Sequence, residues 1–317
     1  MTVQPPGTFD QPLDERAEWV GDSDPSAALT AAQVTMTDLL AIAAWPESAD
    51  CSYMFGGLRA TDSDLHTVAR IIADEAMRLR CGASPALAKW RARRDRAGGA
   101  VEPNEIARRE IEVFVAPVFG LPDDGEEELA KLTDHVQGFV AELLWNRLIQ
   151  DRAQCPDGRA LVHTEEIKGD PTGTGGDGFV VYEIADGTLV FRLWEIKKHV
   201  SKSPISATIK RAANQLSDHG ARYLAMLTGP GTKYEGALGQ LYGDLVKLWL
   251  EASPRAGIGV SIATSAEYAP DSHLAFTNIA PVFPQFPGEG QREALMVAVT
   301  DFPAFAERVR KIVWTGL

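Results

Sequence analysis

The sequence predicts an α/β fold: a three-layer α/β/α core around a mixed sheet, preceded by a mainly helical N-terminal region. Three observations carry this expectation. From about residue 129 the chain reads as a helix, three strands, a helix and then further mixed elements. Two of those strands, at about 178–184 and 189–198, are apolar on both faces, as strands are when helices cover a sheet from both sides. Before 129, apolar residues recur at helical spacing between Gly- and Pro-marked breaks.

With 317 residues and 45% hydrophobic content, the chain can bury a large core as one large domain or two smaller ones. The net charge of -13 argues against indiscriminate adhesion to nucleic acid, which grows from phosphate neutralisation by many Lys and Arg, while leaving room for a local basic groove. Cys51, Cys81 and Cys155 stand far apart with no CxxC pair. An odd number of cysteines without a signal peptide fits a reducing cytoplasm, and small core residues are expected rather than ligands. No apolar run reaches the roughly 20 residues needed to span a bilayer, so the reading is of a cytoplasmic protein with no membrane partner.

Residues 1 to about 30 mix Pro, Gly and acidic residues and read as a loosely ordered arm. Thr61-Asp62-Ser63-Asp64 supplies N-cap residues for a helix with Leu65, Val68, Ile71, Ile72, Ala76 and Leu79 at helical spacing, ended by Gly82. Ser84-Pro85 opens a second helix that runs through Trp90 into the basic stretch Arg91 to Arg96, and a third covers about 103–113. The turn-forming acidic segment Leu121 to Glu128 marks the expected boundary between a helical region, 1–128, and a second domain, 129–317. That domain opens with a helix at about 129–151 whose apolar face carries Val136, Val140, Leu143, Leu144 and Leu148. Strands follow at about 160–167, 178–184 and 189–198. Ser203-Pro204 then starts a helix with Ile205, Ile209, Ala212, Ala213 and Leu216 inward. A helix at about 237–252, strands at about 257–264 and 293–299 and a helix at about 303–314 complete the chain.

The two adjacent strands carry the chemistry. Closing them as an antiparallel hairpin over Ala185-Asp186-Gly187 pairs 184 with 188 and brings Asp177 opposite Glu195. Side chains alternate along a strand, so Glu195 and Lys197 then share one face with Asp177. A three-residue loop with Gly187 left-handed gives this register, whereas a two-residue Asp186-Gly187 loop places Asp177 and Glu195 on opposite faces. Two carboxylates side by side call for a hard divalent cation.

An aspartate starting one strand, Glu-x-Lys ending the next, and a helix on either side resemble the PD-(D/E)XK nuclease superfamily over about residues 130–225. The resemblance implies a restriction-endonuclease-like core in which Asp177, Glu195 and the carbonyl of Ile196 hold Mg2+ or Mn2+ and Lys197 positions or activates water. It also implies supporting roles for Glu142 on the preceding helix, as a further ligand, and for Gln215 on the following one. Gly176 stands where the family's motif has proline. The Leu-Trp-Glu-Ile-Lys-Lys strand and the Ile-x-x-Ala-x-x-Gln-Leu helix look most like nuclease subunits of bacterial anti-phage defence of the Hachiman type, which implies DNA as substrate and a separately encoded helicase or ATPase as partner. The expected activity is metal-dependent DNA hydrolysis. The alternatives are an RNA-cutting enzyme with the same site and a non-catalytic interaction subunit on a nuclease-like scaffold.

Each candidate has a plainer reading. Asp177 could shape the turn Gly173-Thr174-Gly175-Gly176, Glu195 and Lys197 could be a solvated strand end, and Glu142 could face solvent; Asp170 is a substitute for Asp177. The glycine run leads into a strand and lacks Gly-Lys-Ser/Thr, which disfavours an ATP site. The six histidines lack zinc-ligand spacing, although His199 could line the groove beside Lys197, and there is no GxSxG elbow. Lys197, Lys198, Lys202, Lys210, Arg211 and Arg222 are expected to focus a polyanion on the site, while Arg91 to Arg96 reads chiefly as a solvated helix face.

Overall fold

The computed structural model describes residues 34–45, 51–96, 105–152, 154–155, 157–167 and 177–317. The expected N-terminal arm, Asp170 and the glycines at 173–176 lie outside the described residues. In chain order the elements are α1 (Met36–Leu39), β1 (Ala43–Ala44), β2 (Ser52–Gly56), α2 (Asp62–Cys81), α3 (Ala86–Arg94), α4 (Glu105–Phe119), α5 (Glu126–Asp151), β3 (Ala160–Thr164), β4 (Gly178–Glu183), β5 (Leu189–His199), α6 (Ile205–Gly231), α7 (Gly236–Leu250), β6 (Ile258–Ser265), α8 (Ile279–Val282), β7 (Arg292–Val299) and α9 (Phe302–Trp314).

The seven strands form one mixed sheet in the order β1-β2-β7-β6-β5-β4-β3. Strands β2, β7, β6 and β5 run parallel, while β1, β4 and β3 are antiparallel to their neighbours. Alternation along β4 and β5 sorts their apolar side chains into two cores. Val180, Tyr182, Val190, Trp194 and Ile196 join the buried residues of α2, α4, α5 and α9. Phe179, Val181, Leu189, Phe191 and Leu193 join those of α6 and α7. Both faces are therefore dry, which is the three-layer α/β/α arrangement the apolar strands predicted.

Local chemistry sets the helix ends. Thr61 and Asp64 form a reciprocal capping box ahead of α2, and Asp301 accepts from Ala304 N–H ahead of α9. Helix α4 continues past the expected end at 113, because Val115, Val118 and Phe119 extend its buried face, and that packing outweighs the backbone hydrogen bond lost at Pro117. The strands β1 and β2 at one end of the sheet were not expected from the sequence. Ser52–Gly56 pairs in parallel with β7, so the sheet runs across the expected boundary at 128. Thr35–Leu317 forms one compact unit, and the segment at 121–125 is the turn between α4 and α5 within it.

One packing detail fixes where β4 starts. A Cβ on Gly178 would stand 2.3 Å from the Trp145 ring of α5, and that ring packs 5.6 Å from the ring of Trp194. The two indoles floor the strand end on the α5 side. Among the described residues no helix is long and apolar enough to cross a membrane.

Candidate active site

The β4–β5 connection holds three residues. Ile184 N–H donates to Thr188 O at 3.0 Å, Gly187 N–H donates to Ile184 O at 2.9 Å, and Gly187 has φ of 82°, a conformation that glycine adopts without strain. Asp186 holds the loop from the side, its Oδ1 accepting from Thr188 N–H at 2.8 Å. From this turn the ladder counts back without slippage through Glu183–Leu189 to Gly178–Trp194. The next position places Asp177 opposite Glu195.

The hydrogen-bond parity of the ladder explains the geometry of the pair. Because 184–188 is a hydrogen-bonded pair, even-numbered residues of β5 turn their main-chain groups toward β4. Odd-numbered ones turn toward β6, as Phe191 and Leu193 do in donating to Arg255 O and Gly257 O. Asp177 and Glu195 thus occupy a non-hydrogen-bonded position, where opposed Cα atoms come within about 4.5 Å and side chains meet most closely. Ile196 faces the β4 side just where β4 has ended. Its N–H donates to Asp177 Oδ2 at 2.9 Å, and on an extended strand its carbonyl lies along the same edge as that N–H.

Lys197 completes the group. Its Nζ lies 3.6 Å from Asp177 Oδ2 and pairs with Glu195 Oε1. The side chains of Lys197 and Asp177 are 25% and 19% exposed, enough for a solute to reach them, whereas Glu195 is fully buried. Glu195 Oε2 accepts no hydrogen bond among the described residues. Burial, and then the neighbouring Asp177 charge, push the Glu195 carboxyl up to about 8, with Lys197 opposing the shift. For Lys197, desolvation favours the neutral amine, and the Asp177 and Glu195 charges outweigh it, so its ammonium is held above the usual lysine range. The arrangement is an oxygen-rich, electron-rich recess with an unsatisfied buried carboxylate oxygen. It fits a hard divalent cation held by Asp177, Glu195 and the Ile196 carbonyl.

The supporting residues fall elsewhere. Glu142 is half-buried on α5 one turn before Trp145, beside the strand end that carries Asp177. Among the described residues, however, no group of three or more His, Cys, Asp or Glu is arranged to hold a metal, so Glu142 does not join Asp177 and Glu195 in a three-carboxylate set. Gln215 donates to the Tyr223 hydroxyl at 3.3 Å and lines a groove of about 600 Å³ along α6 with Lys210, Arg211, Asn214 and His219. Asp177, Glu195 and Lys197 do not line that groove. The expected basic cluster is therefore divided. Lys198 points to the α5 side, pairing with Asp134 and Gln137, while Lys202, Lys210, Arg211 and Arg222 are exposed. His199 is buried on the face shared with Lys197, its Nδ1 2.9 Å from Thr208 Oγ1, and desolvation lowers its pKa. Arg91 and Arg94 are structural braces: both bind Asp74, and Arg94 also lies over the Trp90 ring at 4.6 Å. Cys51, Cys81 and Cys155 are buried, and no disulfide forms among the described residues.

Sequence reading passed over a second carboxylate on this face. Glu165 lies beside Phe179, to whose carbonyl its N–H donates. Its Oε1 accepts from the hydroxyls of Tyr234 (3.2 Å) and Tyr242 (2.5 Å), with His163 Nε2 3.5 Å away. Despite the cost of burial, these partners hold its carboxyl down at about 2. Tyr234 precedes α7 and Tyr242 lies within it, 69 and 77 residues away, and no local pattern announces them. The period-two placement of His163 and Glu165 was the one available signal.

No family model, curated protein or solved structure matches the chain.

Proposed function

We propose that the protein is a metal-dependent nuclease that hydrolyses phosphodiester bonds of DNA at the Asp177–Glu195–Lys197 site. The observation that carries this reading is the juxtaposition of a buried, under-satisfied Glu195 with Asp177 and the Lys197 ammonium on one sheet face, with the Ile196 main chain bound to Asp177. Asp177, Glu195 and the Ile196 carbonyl would hold Mg2+ or Mn2+. When bound, such an ion neutralises charge on the phosphate and makes water more acidic. Asp177 fixes the Ile196 main chain through its hydrogen bond, and so aims the carbonyl. Lys197, held protonated by its two carboxylate neighbours, orients water or a phosphate oxygen as a compact positive charge.

The setting we infer is bacterial anti-phage defence or restriction, with the separately encoded helicase that the Hachiman-type resemblance implies. The deciding experiment incubates the protein with supercoiled plasmid and, separately, with RNA, in Mg2+ or in EDTA, with and without any co-encoded helicase. Plasmid cleavage that requires Mg2+ supports the reading. RNA cleavage alone would move the substrate to RNA, and no metal-dependent cleavage of either would end the enzymatic reading.

A further inference from the structure

A second recess lies away from the carboxylate site, two turns further along α5. It is a pocket of about 250 Å³ whose apolar wall is formed by Ile42, Met54, Leu148, Ile149 and Leu295, with Ala43 and Ala44 of β1 at its exposed side. Its polar wall is Arg152, the C-cap residue of α5. The Arg152 guanidinium is poorly matched. Its Nη1 donates to the Met54 sulfur, its Nη2 to Cys155 Sγ at 3.0 Å and Tyr182 OH at 3.2 Å, and its buried Nε has no partner. Thioether and thiol sulfurs are weak acceptors.

The nearest carboxylate, Glu293, is shared: its Oε1 serves Arg159 and Arg192, and its Oε2 has no hydrogen-bond partner among the described residues. Glu293 lies 3.8 Å from Arg152, 3.5 Å from Arg192 and 2.7 Å from Arg159, and Arg159 also binds Asp157 at 2.7 Å. Three guanidinium groups therefore face two carboxylates, leaving one positive charge in excess. Burial pushes the Cys155 thiol and the Tyr182 phenol up, so neither supplies the missing negative charge at neutral pH. An uncompensated buried charge is costly, and a bound anion relieves it.

We propose that this pocket binds a small organic monocarboxylate, its carboxylate on Arg152 and its apolar body against Ile42, Met54, Leu148, Ile149 and Leu295. A planar guanidinium matches a planar carboxylate. One excess charge suits a monoanion, whereas a phosphate dianion would bring a second, unpaired charge against an apolar wall. The volume sits below the usual range for ligand pockets, about 300–1,000 Å³, which limits the ligand to a small acid. This site is independent of the nuclease reading.

The test is calorimetric titration and thermal denaturation of the full chain with hexanoate and with benzoate. Hexanamide and benzamide supply the same bodies without charge, and inorganic phosphate supplies charge without a body. The expected result is saturable binding and a raised melting temperature with a carboxylate, with the amides and phosphate roughly tenfold weaker or worse. Arg152→Gln should abolish the effect. If that variant fails to fold, Ala44→Trp, which fills the exposed side of the pocket, serves in its place. Absence of saturable binding by both carboxylates, equal binding of the amides or of phosphate, or undiminished binding by the folded variant would overturn the assignment.

Discussion

Asp177 Oδ2 accepts the main-chain N–H of Ile196 at 2.9 Å, one residue before the β4–β5 ladder begins at Gly178–Trp194. One carboxylate thus serves two ends: it orients the backbone between Glu195 and Lys197, and its charge raises the Glu195 carboxyl. The metal-free site is consequently a place where folding works against itself, and its costs can be measured.

The first cost depends on pH. With Glu195 at about 8 in the folded chain and an ordinary glutamate value of 4.5, the folded state keeps a proton that the unfolded state has already lost. The contribution of Glu195 to stability is whole below about 4.5 and is lost as pH rises to about 8. Glu195→Gln should therefore stabilise the metal-free protein at pH 8–9, by about 1–3 kcal/mol in urea unfolding, with little change at pH 4. The same linkage makes Mg2+ or Mn2+ affinity of the wild type rise roughly tenfold per pH unit below 8 and level off above it, as read by titration calorimetry.

Lys197→Ala should lower plasmid cleavage by about 100-fold or more while circular dichroism stays unchanged. Lys197→Arg should not restore cleavage, because a forked guanidinium cannot replace a compact ammonium between Asp177 and Glu195. Wild-type cleavage by either variant would take the lysine out of the mechanism.

Changes in the loop at 185–187 should leave the register intact. Gly187→Ala meets a backbone at φ 82° and should cost about 1 kcal/mol, leaving metal-induced stabilisation intact. Deleting Ala185 shortens the loop to Asp186-Gly187 with 184 still opposite 188, so the pairing and the Asp177–Glu195 juxtaposition are kept. Thermal shifts with Mn2+ should survive both changes.

Much of this was written locally in the chain. The runs Phe179 to Glu183 and Leu189 to Lys197, with Asp186-Gly187 between them, are enough to set the hairpin, because a turn acts between neighbours; its register stays open between a two- and a three-residue loop, since strands apolar on both faces do not choose one. The cap at Thr61 and the start after Ser203-Pro204 are local in the same sense. The pairing of β2 with β7 joins segments about 240 residues apart, and two short strands leave too weak a pattern to announce it. The partner of Gln215, Tyr223, sits two turns along the same helix and was not legible, because helical spacing fixes a face without fixing what that face meets. The gathering of Arg152, Arg159 and Arg192 on Glu293 comes wholly from tertiary packing.

Gly178 and Trp145 give a test of the strand end. Gly178→Ala forces a methyl into the Trp145 ring and should cost about 1–3 kcal/mol, whereas Trp145→Ala empties the site at about 3–5 kcal/mol. In the double variant the methyl occupies vacated space, so the combined loss in urea unfolding should be less than the sum.

The early end of β4 has a consequence for association as well as for chemistry. Beyond Trp194, β5 has no ladder partner on the β4 side among the described residues, which leaves a stretch of open edge inside a sheet. Such an edge is a template for a foreign strand. Asp177 occupies the Ile196 N–H at this edge; Asp177→Ala should therefore aggregate sooner than Lys197→Ala under the same metal-free conditions, as light scattering would report.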